Sequence, residues 1–345
     1  DSFSAYRLMA RLSDELERDL PLEAIFRTQT IAAMLGELER TVAGETGGGA
    51  AAAALDAPGA SAHVLAHQSS LVMIQAGQPG LPPFFCAHPA GGDVLGFQAL
   101  AQALGADRPF YGIQSAGRLL GEARQPTLEM MCADYLLEIR QLQPHGPYLL
   151  GGHSMGGKVA YELARQIEAA GERVGVLAIF DADIVNKNTS MIDALMLLSE
   201  TFRLNIARAT LAALPQDKMM DYLLTAGKKR FARVLEIAYD MDLLPRGFRT
   251  RDAEMFLQRI ATNIAVSDAY VAPPIHTPVT LFLATDHTEN SYLIDVAAWQ
   301  KVALGGVRVH AVAGNHLNLV QKPFVAAVAE VLRGVMVEGD GGMIG

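Results

Sequence analysis

Cysteine, basic residues and long apolar runs are scarce in this chain of 345 residues, and each scarcity excludes a class of protein. The two cysteines, Cys86 and Cys132, are too few for a disulfide framework. Lysine and arginine number 28 against 37 aspartates and glutamates, with no basic patch, so nucleic acid is not an expected partner. No apolar run approaches the roughly 18 residues of a membrane-spanning helix. We therefore expect a soluble, cytoplasmic protein.

The chain also lacks an initiator methionine and a signal segment, since it begins Asp1-Ser2-Phe3. This start is typical of a piece cut from a longer polypeptide. Hydrophobic residues make up 50% of the chain, which is enough for one large domain with a small companion.

Three regions with different patterns follow one another. Residues 3–39 show helical periodicity, and residues 41–70 have few large apolar side chains among their glycines and alanines, which is typical of a flexible linker. From Leu71 onward apolar strands alternate with helices, as in an α/β protein with a mostly parallel sheet. The predicted strands are 71–75, 84–88, 110–113, 148–151, 174–180, 279–284 and 307–312. Between residues 186 and 274 helical spacing replaces the strands, which predicts a helical insertion placed to act as a lid.

The segment Gly152-His153-Ser154-Met155-Gly156 is a Gly-x-Ser-x-Gly nucleophile elbow between a short apolar strand and an amphipathic helix. Such a turn lifts the serine hydroxyl clear of the sheet, and its crowded backbone requires very small residues two before and two after the serine. Ser154 is therefore the candidate nucleophile. His153 is expected to point away from the serine and to pack inside the elbow.

A serine hydroxyl needs a histidine to take its proton and a carboxylate to orient that histidine. His316 is the candidate base, because it follows a strand, lies in a loop led by Gly314 and precedes a final helix. Asp181 and Asp286 both end strands, and the residues alone do not choose between them.

An oxyanion intermediate needs two backbone N–H donors. Met155, directly after the serine, is expected to supply one of them. The loop Cys86-Ala87-His88-Pro89-Ala90-Gly91-Gly92 follows an early strand and is expected to supply the other, from Ala90.

Four stretches resemble the type I thioesterase domains that end nonribosomal peptide synthetases and polyketide synthases. They are Phe-Cys-Ala-His-Pro-Ala-Gly-Gly at 85–92, the elbow with its approach at 143–157, Phe180-Asp181, and Gly314-Asn315-His316. The match covers about residues 71–333. It implies an α/β-hydrolase fold with a helical lid, and it implies Asp181 as the acid, with Asp286 as runner-up. It also implies that Ser154 accepts a chain which is released by hydrolysis or macrocyclisation, and that the partners are upstream modules of the same assembly line.

The start of the chain, Asp1-Ser2-Phe3 followed by helices, resembles the later part of an acyl or peptidyl carrier domain. That resemblance implies a phosphopantetheine arm on Ser2 as the only cofactor, and no metal. The glycines and first helix expected before Asp1 are absent. The predicted organisation is thus a partial carrier at 1–40, a linker at 41–70, a thioesterase domain at 71–336 and a tail at 337–345.

Two other functions fit parts of the sequence. The same elbow and histidine occur in stand-alone serine esterases and lipases, although a carrier-like start does not favour them. A hydrolase fold could also serve as a non-catalytic module that docks a carrier, although a complete set of candidate catalytic residues opposes this.

Overall fold

A computed structural model describes residues 69–115, 127–185, 208–215, 218–219, 222, 250–286 and 294–340. Ser2, the predicted carrier segment 1–40 and most of the predicted linker lie outside these residues, as does much of the predicted lid. The described strands are β1 (Leu71–Gln75), β2 (Phe84–Ala87), β3 (Phe110–Ile113), β4 (Tyr148–His153), β5 (Val174–Phe180), β6 (Val279–Ala284) and β7 (Val307–Val312). The described helices are α1 (Gln98–Leu104), α2 (Leu128–Leu142), α3 (Met155–Ala169), α4 (Arg208–Ala212), α5 (Thr250–Ala269), α6 (Val296–Val302) and α7 (Val325–Asp340).

The strands form one seven-stranded sheet in the order β1-β3-β2-β4-β5-β6-β7. All pairs are parallel except β1 with β3, which is antiparallel. The chain leaves β2 toward β3 on one side and returns to place β4 on the other side of β2. Ligand sites of α/β proteins collect at the carboxyl ends of strands where the order reverses in this way. The loops that follow β2 and β4 therefore flank the expected site.

The predicted α/β-hydrolase fold, with a mostly parallel sheet, is confirmed. Five of the seven predicted strands have the observed bounds, whereas β2 ends one residue early at Ala87 and β4 continues to His153. Glycines weaken the strand pattern at the end of β4, although Gly151 and Gly152 pair in register with Ala178 and Ile179 of β5.

Two apolar layers cover the two faces of the sheet, because successive side chains of a strand point to opposite faces. In β5, Leu177 and Ile179 face the layer that includes Val159 of α3, whereas Val176 and Phe180 face the layer that includes Leu332 of α7. All these side chains are buried. Each fully buried aliphatic or aromatic side chain contributes on the order of 2 kcal/mol to folding, so both layers hold the sheet against its helices.

Residues at both ends of the described α/β region contact its core. Helix α7 continues to Asp340, where Gly339 packs against the backbone of β5 and its carbonyl accepts a hydrogen bond from Arg173. At the other end, the last two residues of the predicted linker, Ser69 and Ser70, both donate to the Glu138 carboxylate at 2.7 Å. The core therefore begins before Leu71 and ends after residue 336.

Candidate active site

Ser154 stands in the turn between β4 and α3 with φ 58° and ψ −125°. Residues other than glycine rarely adopt this backbone conformation, and such strain is typical of functional positions. The turn is closed by two glycines: a Cβ on Gly152 would lie 1.8 Å from the carbonyl oxygen of Gly156, and one on Gly156 would lie 2.2 Å from that of Ala87. The crowding expected from the sequence motif is therefore present, and it brings the start of α3 against the loop after β2.

Asp181 follows β5 directly, one strand over from the elbow. The Ser154 N–H donates to the Phe180 carbonyl at 3.0 Å, so the ends of β4 and β5 are fixed to each other at the site. Asp181 also has a positive φ, 48°, and the carbonyl of the next residue, Ala182, accepts a 2.9 Å hydrogen bond from the Trp299 indole. The carboxylate is thus held on a strained, pinned stretch of backbone.

His316 and Asp181 form the central pair of the site. His316 Nδ1 donates to Asp181 Oδ2 at 2.7 Å, and Asp181 Oδ1 accepts from the Ala284 N–H at 2.9 Å. Burial on its own would raise the pKa of Asp181, but the hydrogen bond and charge of His316 outweigh it and hold that pKa below its ordinary value. Because Nδ1 carries the proton of the neutral ring, Nε2 carries the lone pair that can take a proton.

Asp286, the other candidate acid, and Asp183, two residues after Asp181, have different surroundings. The side chain of Asp286 is exposed, and its backbone N–H donates to the Gly314 carbonyl at 2.9 Å. Asp183 Oδ1 accepts from the backbone N–H of Val185 at 3.4 Å. The structure brings Asp181, the acid implied by the family resemblance, to the histidine.

His153 is buried, as expected for a packing residue, and it also forms a hydrogen bond that the sequence did not predict. Its ring is buried, and its Nε2–H donates to the backbone carbonyl of His316 at 2.7 Å, with the two ring centroids 5.0 Å apart. Burial, followed by the charge of His316, lowers the pKa of His153 to about 3, so the ring is neutral near pH 7. The residue beside Ser154 therefore fixes the backbone of the His316 loop against the elbow.

The two predicted oxyanion donors lie on adjoining segments. Met155 is the first residue of α3, and Ala90 lies in the loop after β2, against which Gly156 packs. The loop turns back on itself because the Gly92 N–H donates to the Pro89 carbonyl at 2.9 Å, with Gly92 at φ 83°. Ser154, Met155, Ala90, Asp181 and His316 thus gather at the carboxyl edge of the sheet.

The part of the chain that the structure describes holds no group of three or more histidine, cysteine or acidic side chains that could bind a metal ion. Across the same residues, no helix is long and apolar enough to span a membrane.

A serine on a nucleophile elbow and a histidine paired with a carboxylate, on a sheet of this order, place the chain in the class of α/β-hydrolases. The sequence model of the Thioesterase domain family matches residues 82–334, and the chain belongs to that family. It therefore carries the fold of a hydrolase that cleaves thioesters.

Relatives with curated descriptions include a dimodular nonribosomal peptide synthase of Bacillus subtilis, 35% identical over 52% of this chain and 7% of that protein. Another, the microperfuranone synthase of Emericella nidulans, is 29% identical over 84% of this chain and 31% of that protein. The chain spans less than a third of the length of either relative. A solved structure of the Vlm2 thioesterase domain bound with a dodecadepsipeptide has the same fold, with TM-score 0.53 and 23% identity over 76% of this chain and 96% of that one.

One polar residue beside the site, Asn263, belongs to no sequence motif and was not predicted. Asn263 of α5 is fully buried, and its Nδ2 donates to the Ala90 carbonyl at 2.9 Å. Its position three residues after Ile260 and next to Ile264, both buried, was a signal that this asparagine lies on the inner face of its helix.

Proposed function

We propose that this chain is a chain-releasing serine thioesterase with Ser154, His316 and Asp181 as its catalytic triad. It takes an acyl, peptidyl or polyketide chain from carrier-bound phosphopantetheine onto Ser154 and releases it by hydrolysis or macrocyclisation. The observation that carries the proposal is the 2.7 Å pair of His316 and Asp181 beside a serine held at positive φ. The names of the relatives support the substrate class, since one is a peptide synthase and the Vlm2 domain is bound with a dodecadepsipeptide.

The first half-reaction moves the chain from sulfur to oxygen. His316 Nε2 takes the Ser154 proton as Ser154 Oγ attacks the thioester carbonyl, and the carbonyl oxygen becomes an oxyanion. The N–H groups of Met155 and Ala90 donate to that oxyanion. Collapse breaks the carbon–sulfur bond, the pantetheine thiol leaves with the proton held on His316, and an acyl ester remains on Ser154.

The second half-reaction returns the enzyme to its starting state. His316 takes a proton from water, or from a hydroxyl or amine of the chain itself, which attacks the ester carbonyl. Collapse breaks the bond to Ser154 Oγ, which regains the proton from His316. Water gives a free acid and an internal nucleophile gives a ring. Asp181 keeps its charge throughout and stabilises the imidazolium that forms in both halves.

The carrier and its arm belong to the wider proposal. The arm on Ser2 and the linker at 41–70 would place the thioester close to Ser154 at a high effective concentration. The upstream modules of the same polypeptide or assembly line would then be the partners that load the carrier.

Replacing the nucleophile tests the proposal. The variant Ser154→Ala is expected to form no acyl-enzyme and to lose at least roughly 10⁴-fold in kcat on an acyl pantetheine thioester. Intact-protein mass spectrometry detects the acyl adduct, and Ser69→Ala, at the β1 edge of the sheet, serves as the matched control with wild-type turnover. A covalent adduct that persists in Ser154→Ala would assign the nucleophile to another residue.

Two further measurements separate this function from its alternatives. A thioesterase of this kind hydrolyses a carrier-bound thioester faster than a simple ester of the same acyl chain, whereas an esterase or lipase shows the reverse. A fluorophosphonate probe is expected to label Ser154 in the folded protein. Failure to label folded wild-type protein would favour a docking module without catalysis.

A further inference from the structure

The peptide groups on either side of Ala90 are both held by hydrogen bonds. The Pro89 carbonyl accepts from His88 Nδ1 at 2.7 Å and from the Gly92 N–H at 2.9 Å. In a trans peptide the N–H points opposite to the C=O, so these two bonds aim the Ala90 N–H away from their own side of the loop. The position of this N–H also depends on the Cα of Ala90, which the next peptide, containing the Ala90 carbonyl, holds from the other side.

Asn263 holds that carbonyl. Its Nδ2 donates to Ala90 O at 2.9 Å, and its Oδ1 lies 3.4 Å from the Ser115 hydroxyl. The Ser115 N–H in turn donates to the Gly92 carbonyl at 2.9 Å. Asn263 is fully buried and Ser115 nearly so. A buried amide with both ends engaged has one orientation available, so it fixes the peptide plane that it touches.

The face of helix α5 that carries Asn263 also contacts α3, the helix that begins at Met155. One turn earlier, Arg259 packs on the loop after β2, since a Cβ on Gly92 would lie 2.5 Å from Arg259 Cδ. One turn later, the Ser267 carbonyl accepts from Lys158 Nζ at 3.0 Å. Lys158 lies on α3, three residues after Met155, and is buried. Residues spaced four apart lie on one helix face, so a single stripe of α5 connects the two segments that carry the proposed oxyanion donors.

We propose that Asn263 is a positioning residue for the oxyanion hole: by holding the Ala90 carbonyl it fixes the Cα of Ala90, and with it the place from which the Ala90 N–H donates. The inference rests on the proposed function. Helix α5 falls within the C-terminal part of the predicted helical insertion, 186–274.

The effect belongs to the chemical step rather than to substrate binding. Loss of one oxyanion donor typically lowers kcat by 10²–10³-fold, and a donor that is present but misdirected should cost less. Asn263→Leu, which keeps the volume and removes the donor, is expected to lower kcat by about 10–100-fold while KM stays within about twofold. Ser115→Ala releases one end of the amide but leaves the Nδ2 bond in place, so it is expected to lower kcat by less than Asn263→Leu does.

The decisive experiment uses Asn263→Asp, assayed in the full chain on an acyl pantetheine thioester across pH 5–8. A carboxylate cannot donate to the Ala90 carbonyl, but a protonated carboxyl can, and burial raises the pKa of a carboxyl into reach. The ratio of variant to wild-type kcat is expected to rise as the pH falls, because the regained O–H replaces the lost N–H. Taking the ratio at each pH removes the pH effects that both proteins share.

A control separates positioning from stability. Ile264→Ala removes a buried side chain from the same helix without touching Ala90, so it should lower Tm while kcat stays within about twofold at a temperature where the variant is folded. A ratio for Asn263→Asp that is flat with pH, or an Asn263→Leu kcat within twofold of wild type, overturns the inference. If wild-type protein shows no turnover that depends on Ser154, the proposed function itself fails, which is a different result from either.

Discussion

At the scale of single residues, the pairing of Asp181 is the feature on which the proposed chemistry depends. A carboxylate inside a protein keeps its charge only when its oxygens are satisfied, and each oxygen of Asp181 accepts one hydrogen bond, from His316 and from the Ala284 N–H. The arrangement keeps the proton of the neutral ring on Nδ1 and leaves Nε2 to act as the base in the proposed mechanism.

Asp181→Asn is therefore expected to lower kcat by roughly 10⁴-fold, because the amide stabilises the wrong tautomer of the histidine while the fold is preserved. Asp286→Asn is the matched control, since that acid also follows a strand of the same sheet, and its kcat should stay within about twofold of wild type. Steady-state kinetics on a pantetheine thioester measures both. A large loss in Asp286→Asn with little change in Asp181→Asn would exchange the two roles.

The residues of the site differ in how far the sequence alone could locate them. Ser154 was predictable because the elbow requires fixed glycines, and His316 because it follows the last strand. The choice between Asp181 and Asp286 depends on which strand end meets the histidine loop, which spacing along the chain does not encode. The hydrogen bonds of Asn263 and His153 were not predicted, because the partner of each is a backbone carbonyl far away in the sequence.

At the scale of elements, the contact between β4, α3 and the loop after β2 controls the shape of the site. Strands β2 and β5 were predictable because buried parallel strands are continuous apolar runs. The antiparallel direction of β1 was not predictable, because an apolar run is the same for either direction. The glycines of the elbow are the positions where these elements approach most closely.

Gly152→Ala tests this approach. Its Cβ would meet backbone atoms of Gly156 at 1.8 Å, and backbone cannot rotate aside, so we expect the free energy of unfolding to fall by at least about 3 kcal/mol. Gly334→Ala on α7 is the matched control, since its Cβ meets nothing within 4 Å and helical alanine is favoured over glycine by up to about 1 kcal/mol. Urea unfolding followed by circular dichroism gives both values. Equal stability of the two variants would refute the proposed close packing.

At the scale of the whole molecule, buried histidines connect stability to pH. His88 is fully buried, with Nδ1 donating to Pro89 and Nε2 accepting from the Tyr135 hydroxyl. Burial, with a smaller effect of the Arg259 charge, lowers the pKa of His88 to about 4 from an ordinary value near 6.5. A histidine whose pKa is lowered by folding makes its full contribution to stability above pH 6.5. That contribution is lost as the pH falls from 6.5 to 4.

We accordingly expect the free energy of unfolding to decrease on acidification between pH 6.5 and 4, with His88 contributing about 1.4 kcal/mol per pH unit to the slope. His88→Gln should flatten the slope by that amount, because glutamine does not titrate. Val328→Ala, a buried apolar control on α7, should lower stability equally at every pH. Urea unfolding at pH 7, 6 and 5 gives the free energy of unfolding as a function of pH. Equal slopes for His88→Gln and wild type would contradict the contribution expected from His88.

Ser154 and Asp181 are the only residues other than glycine with positive φ in the part of the chain that the structure describes. Each such position costs on the order of 1 kcal/mol, and glycine at either one would relieve that cost while removing the chemistry. A mutation to glycine at either position can therefore stabilise the fold while it inactivates the domain. Selection for folding alone would favour such mutations, so the two positive-φ residues persist only under selection for activity.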